Sequence, residues 1–231
     1  MKKKNRIWIL PLTISLCLPL LTSCEKEPEQ GTVTDNEGNV YQTVKIGDQW
    51  WMAENLKTTK YNDDTAIPNI AGITAWQSLL TGAYCWFNND ESANKDTYGA
   101  LYNWHAVSSD KLCPSGWHVP SDAEWTTLEN YLGGIAVVGM KLKEAGNVHW
   151  ASPNTGATNE SGFTALPGGY RSPNGDFYNG AISGSGVEAE WFSSTEKSDI
   201  DAFLYYVYKD NTAGKAEGRK TTGCSIRCIK N

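Results

Sequence analysis

Residues 113–125, Cys-Pro-Ser-Gly-Trp-His-Val-Pro-Ser-Asp-Ala-Glu-Trp, place a cysteine, a tight turn, a short strand and a helix start in direct succession. Ser121 and Glu124 stand at capping-box spacing. The hydroxyl can accept from the amide of Glu124, and the carboxylate can reach back to the amide of Ser121. A helix is therefore expected over 121–132. Trp125, Leu128 and Leu132 share one of its faces, and Gly133-Gly134 ends it.

The chain begins as a targeting device. Lys2, Lys3, Lys4 and Arg6 form a basic head, and residues 7–21 form an apolar run broken by Pro11 and Pro19. That run is short for a membrane span and has signal-peptide flanks. It ends in Leu21-Thr22-Ser23-Cys24, which resembles the lipobox of bacterial lipoproteins. The resemblance implies cleavage before Cys24, diacylation of its thiol and acylation of the new amino group, so that several acyl chains hold the protein to the membrane. Residues 1–23 are thus expected as signal peptide, 24–31 as a charged, lipidated tether and 32–231 as the domain. The acidic tether resembles the surface-export signal of some bacterial lipoproteins. Residues 1–23 carry four basic side chains and no acidic one, so cleavage takes the formal charge from −6 to −10. That balance argues against nucleic acid as a partner and leaves membrane attachment to the lipid.

With Cys17 in the leader and Cys24 at the anchor, Cys85, Cys113, Cys224 and Cys228 remain. An even number in an exported protein favours disulfides, and three pairings are open. Cys224, Ile226 and Cys228 alternate onto one face of an expected closing strand over 224–230. The preferred pairing joins Cys113 to Cys228, with Cys85 to Cys224 as the second bridge. Each closed loop contributes roughly 2–4 kcal/mol.

Ten tryptophans, eleven tyrosines and twenty-two glycines suit an aromatic-rich, loop-rich fold of modest helix content. Thr32-Val33-Thr34 and Val40–Ile46 flank a turn ending in Gly38, an expected hairpin in which Val40, Gln42, Val44 and Ile46 share a mainly apolar face. Short helices are expected near 74–80, over 98–107 and over 135–145. Residues 84–87 read as a buried strand and 88–96 as a polar loop. Further strands are expected over 162–166, 176–179, 190–194 and 203–209. The class is α+β, short antiparallel strands with two or three helices.

Several motifs carry a family resemblance. They are Tyr41-x-Thr43-Val44-Lys45-Ile46-Gly47, Trp51-Met52-Ala53-Glu54-Asn55-Leu56 and Tyr98-Gly99-Ala100-Leu101-Tyr102-Asn103-Trp104, then the 113–125 run. Gly162-Phe163-x-Ala165-Leu166-Pro167-Gly168-Gly169-Tyr170-Arg171, Trp191-Phe192-Ser193-Ser194 and Ser225-Ile226-Arg227-Cys228 continue the pattern. Together they resemble the Fibrobacter succinogenes major paralogous domain, common in secreted and lipid-anchored bacterial proteins. That family is in turn distantly similar to C-type-lectin-like and sulfatase-modifying-factor-like (formylglycine-generating-enzyme-like) folds.

The resemblance implies two chemistries to weigh. The enzyme-like relationship implies a copper-binding pair of reactive cysteines upstream of the closing strand, whereas Cys224 and Cys228 lie within that strand. The lectin-like relationship implies a calcium site of Glu-Pro-Asn type, of which only Pro153-Asn154 and Pro173-Asn174 are present. Asn88, Asp90, Ser92, Asn94 and Asp96 alternate oxygen ligands as a calcium loop does, without its central Gly or final Glu. His105, His118 and His149 form no metal spacing. The Asn-, Ser- and Gly-rich segments 154–161 and 171–186 read as surface loops, with Asn154, Asn159, Arg171 and Asp176 as candidate ligand contacts. The expected function is a non-catalytic, lipid-anchored binding or adhesion module at the bacterial cell envelope, on the outer membrane, recognising a glycan or a protein. A copper-dependent oxidase-like enzyme and a purely structural envelope component are the alternatives.

Overall fold

The computed structural model describes residues 28–179 and 186–231; the leader and the first half of the tether, Cys24 included, lie outside them. The architecture is mixed, built on antiparallel sheets. One sheet has five strands in the order β1 (Gln30–Thr34), β2 (Val40–Ile46), β3 (Gln49–Met52), β12 (Ile229–Lys230), β6 (Trp117–His118). A second runs β11 (Ala213–Arg219), β10 (Asp201–Tyr208), β9 (Glu188–Glu196). Two small ladders pair β4 (Tyr84–Cys85) with β5 (Leu101–Tyr102) and β7 (Tyr170–Arg171) with β8 (Phe177–Tyr178). Five α-helices are present among the described residues, more than the two or three expected: α1 (Ile73–Gln77), α2 (Glu91–Tyr98), α3 (Trp104–Val107), α4 (Asp122–Tyr131) and α5 (Ile135–Leu142). No helix of the described residues is long and apolar enough to cross a membrane.

The capping box forms as its spacing requires. Ser121 Oγ accepts from the Glu124 amide at 3.3 Å, and the Ser121 amide donates to Glu124 Oε2 at 2.7 Å. The Glu124 carboxylate sits low in pKa; those hydrogen bonds and His118 outweigh its burial. Elsewhere local signals give way to tertiary pairing. Residues 98–107 do not form one helix. The Tyr102 backbone exchanges hydrogen bonds with Cys224, and the Asn103 side chain caps a helix of a single turn. Residues 88–96 are not a loop but the capped start and body of α2. Residues 162–166 are not a strand. The closing strand shrinks to β12, with Cys224 and Ser225 held by isolated bridges.

Strand β2 lies between two strands and meets two cores. Its Val44 and Ile46 enter one cluster with Trp51, Trp125, Phe163, Trp191 and Tyr205. Tyr41 enters the other, with Met52, Tyr102, Phe192, Cys224 and Cys228. The expected, mainly apolar face reaches the core through Val44 and Ile46, whereas Val40 at its start is 52% exposed and Tyr41 and Thr43 are buried on the opposite side. The β9–β10 pair divides the same clusters. Trp191, Tyr205 and Val207 face one, and Phe192 and Leu204 the other. Strand β11, with its glycines and charges, had no sequence signal. Its glycines serve close approach: a Cβ on Gly214 would stand 2.9 Å from the Tyr206 hydroxyl, and one on Gly218 2.5 Å from Leu204.

Cys113–Cys228 is a disulfide across a sequence separation of 115. The second expected bridge is absent, because Cys85 and Cys224 are both free, buried thiols. The ladder register explains this. Tyr84, Tyr102 and Cys224 stand in line across neighbouring strands, so Cys85, one residue on, points to the other face. Cys85 packs with Trp76, Ala83 and Leu101, and Cys224 lies in the main cluster.

The two cores are joined through a buried arginine. Arg227, 1% exposed, donates from Nε to Asn55 Oδ1 at 2.7 Å and from Nη2 to Thr164 O at 2.8 Å. Its Nη1 donates to the carbonyls of Met52 and Phe163. Asn55 Oδ1 also accepts from Trp191 Nε1 at 3.0 Å, and its Nδ2 donates to Tyr98 O and Ser225 Oγ. Asn55→Ala should strand two buried donors, each at about 1–3 kcal/mol. A denaturant midpoint indistinguishable from wild type would refute this. Thiol titration over residues 28–231 should count no reactive thiol in the native state and two after unreduced denaturation.

Candidate functional site

An open groove of about 590 Å³ runs beside the end of β9–β10, walled by Pro153 and Thr155 on one side and by Val187, Glu188 and Tyr208 on the other. The turn after β10 supplies Lys209, Asp210 and Asn211. Lys143, fully buried at the end of α5, fixes that turn. Its Nζ donates to Lys209 O at 2.6 Å and Asn211 Oδ1 at 2.9 Å, over the Trp150 ring. Burial holds the Lys143 ammonium down at about 8. The two walls are latched together: Asn211 Nδ2 donates to Thr155 O at 2.8 Å, and Lys209 Nζ to Ser152 O at 2.9 Å.

The strand period sets what faces the groove. Glu188 and Glu190 lie on one face of β9, opposite Tyr208 and Tyr206 of β10. On the other edge of β9, Gly169 pairs with Ala189 in parallel, which brings Tyr170 alongside Glu190. Tyr170 stacks on its cross-strand partner Tyr178 at 5.4 Å, and Tyr206 stacks on Tyr208 at 4.6 Å. Tyr178 and Tyr208 remain more than a third exposed. Both Tyr170 and Tyr208 are raised, by burial first and then by the charges of Glu190 and Glu188, and Tyr170 also feels Tyr208. The two stacked pairs therefore flank one acidic spot.

Glu190 is the unusual member. It is 8% exposed, and the contact to its carboxyl is the Cys224 thiol, donating to Oε2 at 3.9 Å. Burial, reinforced by the charge of Glu188, raises the carboxyl to about 8. Burial and Glu190 together push the Cys224 thiol well up, and burial pushes the Cys85 thiol up to about 12. Two inert thiols facing opposite sides of a ladder do not form a copper-binding pair.

The sequence-read candidates mostly serve the scaffold. Arg171 is fully buried rather than exposed. It donates to the carbonyls of Ile70, Ala71 and Gly175 between the rings of Trp76 and Phe177. Asn154 is also buried, donating to Glu144 O and Gly146 O beside the groove wall. Asn159 holds its own turn through Thr164, and Asp176 is exposed on the β7–β8 turn. Among its described residues neither segment is a simple surface loop, because Asn154 and Arg171 bind carbonyls; residues 180–185 lie outside the described ones. The five calcium-loop positions do not converge. Asp90 caps α2 and accepts from Ser92, Asn94 donates to Phe87 O and Asp90 O, and Asp96 pairs with Lys57. Asn88 lies in the 3₁₀ turn before the helix. Cys24 lies outside the described residues. The groove residues Glu188 and Tyr208, and their neighbours Glu190 and Tyr206 on the same strand faces, escaped the sequence reading. Their signal is the pair of period-2 patterns Glu-x-Glu and Tyr-x-Tyr.

Because Glu190 is raised from 4.5 to about 8 on folding, its stabilising contribution is full below 4.5 and is lost as pH rises through about 8. Glu190→Gln should flatten the fall in urea midpoint between about pH 5 and about pH 9 and be the more stable form at the upper end. An unchanged slope would contradict the burial of this carboxyl.

No curated protein and no solved structure matches the chain. The model of one family, described as the Fibrobacter succinogenes major domain, matches residues 44–230. That span takes in the disulfide, the groove and, apart from Tyr41, the buried residues of both cores. The chain belongs to the Fibrobacter succinogenes major domain family.

Proposed function

We propose that this protein is a non-catalytic, lipid-anchored module of the bacterial cell envelope, held on the outer membrane through Cys24, that binds a glycan in the groove beside β9 and β10. The observation that carries the reading is the open groove lined by Tyr208, Glu188 and Asp210, with Tyr206 stacked on Tyr208 behind it and the stacked Tyr170–Tyr178 pair on the other edge of β9. Sugar rings present apolar C–H faces that pack on aromatic rings, and hydroxyls that donate to carboxylates and amides. The groove supplies both from a rigid sheet and a latched turn. Its volume lies in the ordinary range for small-ligand sites, roughly 300–1,000 Å³. The anchor rests on the basic head, the apolar run and the Leu-Thr-Ser-Cys sequence. Two or more acyl chains are what stable attachment requires.

We also read the fold as C-type-lectin-like or sulfatase-modifying-factor-like. The Cys113–Cys228 bridge supports this, joining the run before α4 to the last strand.

A glycan array probed with the full chain tests the function, and Tyr208→Ala tests the site. Loss of one stacking ring of about 1.4 kcal/mol should weaken binding about tenfold. Silence across the array would refute glycan binding and turn the search to a protein ligand. Wild-type affinity in Tyr208→Ala would move the site elsewhere.

A further inference from the structure

Strand β11 is the outer strand of the β11-β10-β9 sheet, and among the described residues no strand pairs with its free side. Its ladder with β10 shows which backbone groups face outward. The Tyr208 amide donates to Thr212 O and the Lys220 amide to Ile200 O, both in the register that β10 and β11 share. Hydrogen-bonded pairs recur at every second residue of an antiparallel ladder. Gly214, Ala216 and Gly218 therefore direct their N–H and C=O groups to β10, whereas Lys215 and Glu217 turn theirs outward. Among the described residues no hydrogen bond reaches those outward groups. Lys215, Glu217 and Arg219 are exposed. Within the chain Lys215 pairs with Asp122 at 3.0 Å, Glu217 with Lys197 at 3.0 Å and Arg219 with Asp201 at 3.6 Å. Charge on an edge strand discourages pairing with other chains. Here the order of the charges leaves one pairing open.

We propose that β11 is a self-association edge, pairing antiparallel with β11 of a second copy of this chain about a two-fold axis at Ala216. Outward groups meet outward groups only when the register moves in steps of two residues. With Ala216 opposite itself, Lys215 stands opposite Glu217 of the second copy, and Glu217 opposite its Lys215. Opposite charges face each other twice, as a two-fold interface requires. A slip of two residues one way sets Lys215 against Lys215. A slip the other way sets Glu217 against Glu217 and Lys215 against Arg219. Both slips oppose like charges, so the charges that repel foreign edges also fix this register. The intrachain partners stay in place: Asp122, Lys215, Glu217 of the second copy and its Lys197 form a row of alternating sign. Three strands from each copy then make one continuous sheet. The turn between β10 and β11 borders the groove, so antiparallel pairing sends the two grooves to opposite ends of that sheet.

Two measurements on the full chain in excess, density-matched detergent test this. Sedimentation velocity should show a reversible dimer of the wild type. Lys215→Glu should weaken it about tenfold or more, and so should Glu217→Lys. The two reversals combined should restore it, which also shows that the reversed chains fold. Under mild oxidant Ala216→Cys should form a disulfide-linked dimer while the wild type stays unlinked. Cα atoms of a non-hydrogen-bonded antiparallel pair lie about 4.5 Å apart, within disulfide reach. A dimer that survives both single reversals would overturn the β11 edge as its interface. A wild type that stays monomeric at every concentration, with Ala216→Cys no more linked than wild type, would overturn self-association itself.

Discussion

A guanidinium buried among tryptophans requires acceptors, because taking its charge out of water is expensive unless every N–H finds an oxygen. Arg227 finds them on two separate pieces of chain: Met52 and Asn55 at and just beyond the end of β3, and Phe163 and Thr164 in an irregular stretch. Asn55 passes the constraint on, holding Trp191 of β9 with the same oxygen and Ser225 and Tyr98 with its amide. These contacts link residues far apart in sequence, so both cores and the sheet between them must assemble together. A fold dominated by such pairings is slow to form and hard to open in parts. Arg171 repeats the device on a smaller scale, binding loop carbonyls between Trp76 and Phe177. Irregular chain is tolerated inside this domain because arginines satisfy its carbonyls.

That same device limited what the sequence could say. The capped helix α4 was legible because its signals are local: Ser121 with Glu124, and an apolar face ended by two glycines. The Cys113–Cys228 bridge was legible from chain position and strand alternation. Cys85 was not, since its direction depends on the register of a two-residue ladder. Strand β11 carried no sequence signal, because its glycines answer to the side chains of Tyr206 and Leu204 opposite them. Asn154 and Arg171 look like surface residues by type, yet they are buried hydrogen-bond donors. The groove was missed for a related reason. Glu188 and Glu190 sit in a stretch that reads as core strand, and a carboxylate at an inward position signals a site only once its neighbours are known.

The motifs that mark the family mainly build the frame. Asn55, Phe163, Trp191, Ser225 and Arg227 meet in one network, and Cys113 and Cys228 close it. The groove walls, Pro153, Thr155, Glu188 and Tyr208 to Asn211, lie outside those motifs. They are carried by the frame through Lys143, whose ammonium clamps the turn after β10. This division lets one scaffold hold different grooves, since substitutions in the wall leave the arginine network untouched.

Glu190 is where the frame and the groove conflict. It occupies a strand position that an apolar residue would fill with less strain on the fold, facing Tyr206 and the Cys224 thiol. The burial that raises its pKa makes its ionised form costly in the empty groove. Stability alone does not explain a carboxyl there, nor a second one two residues away on the same face.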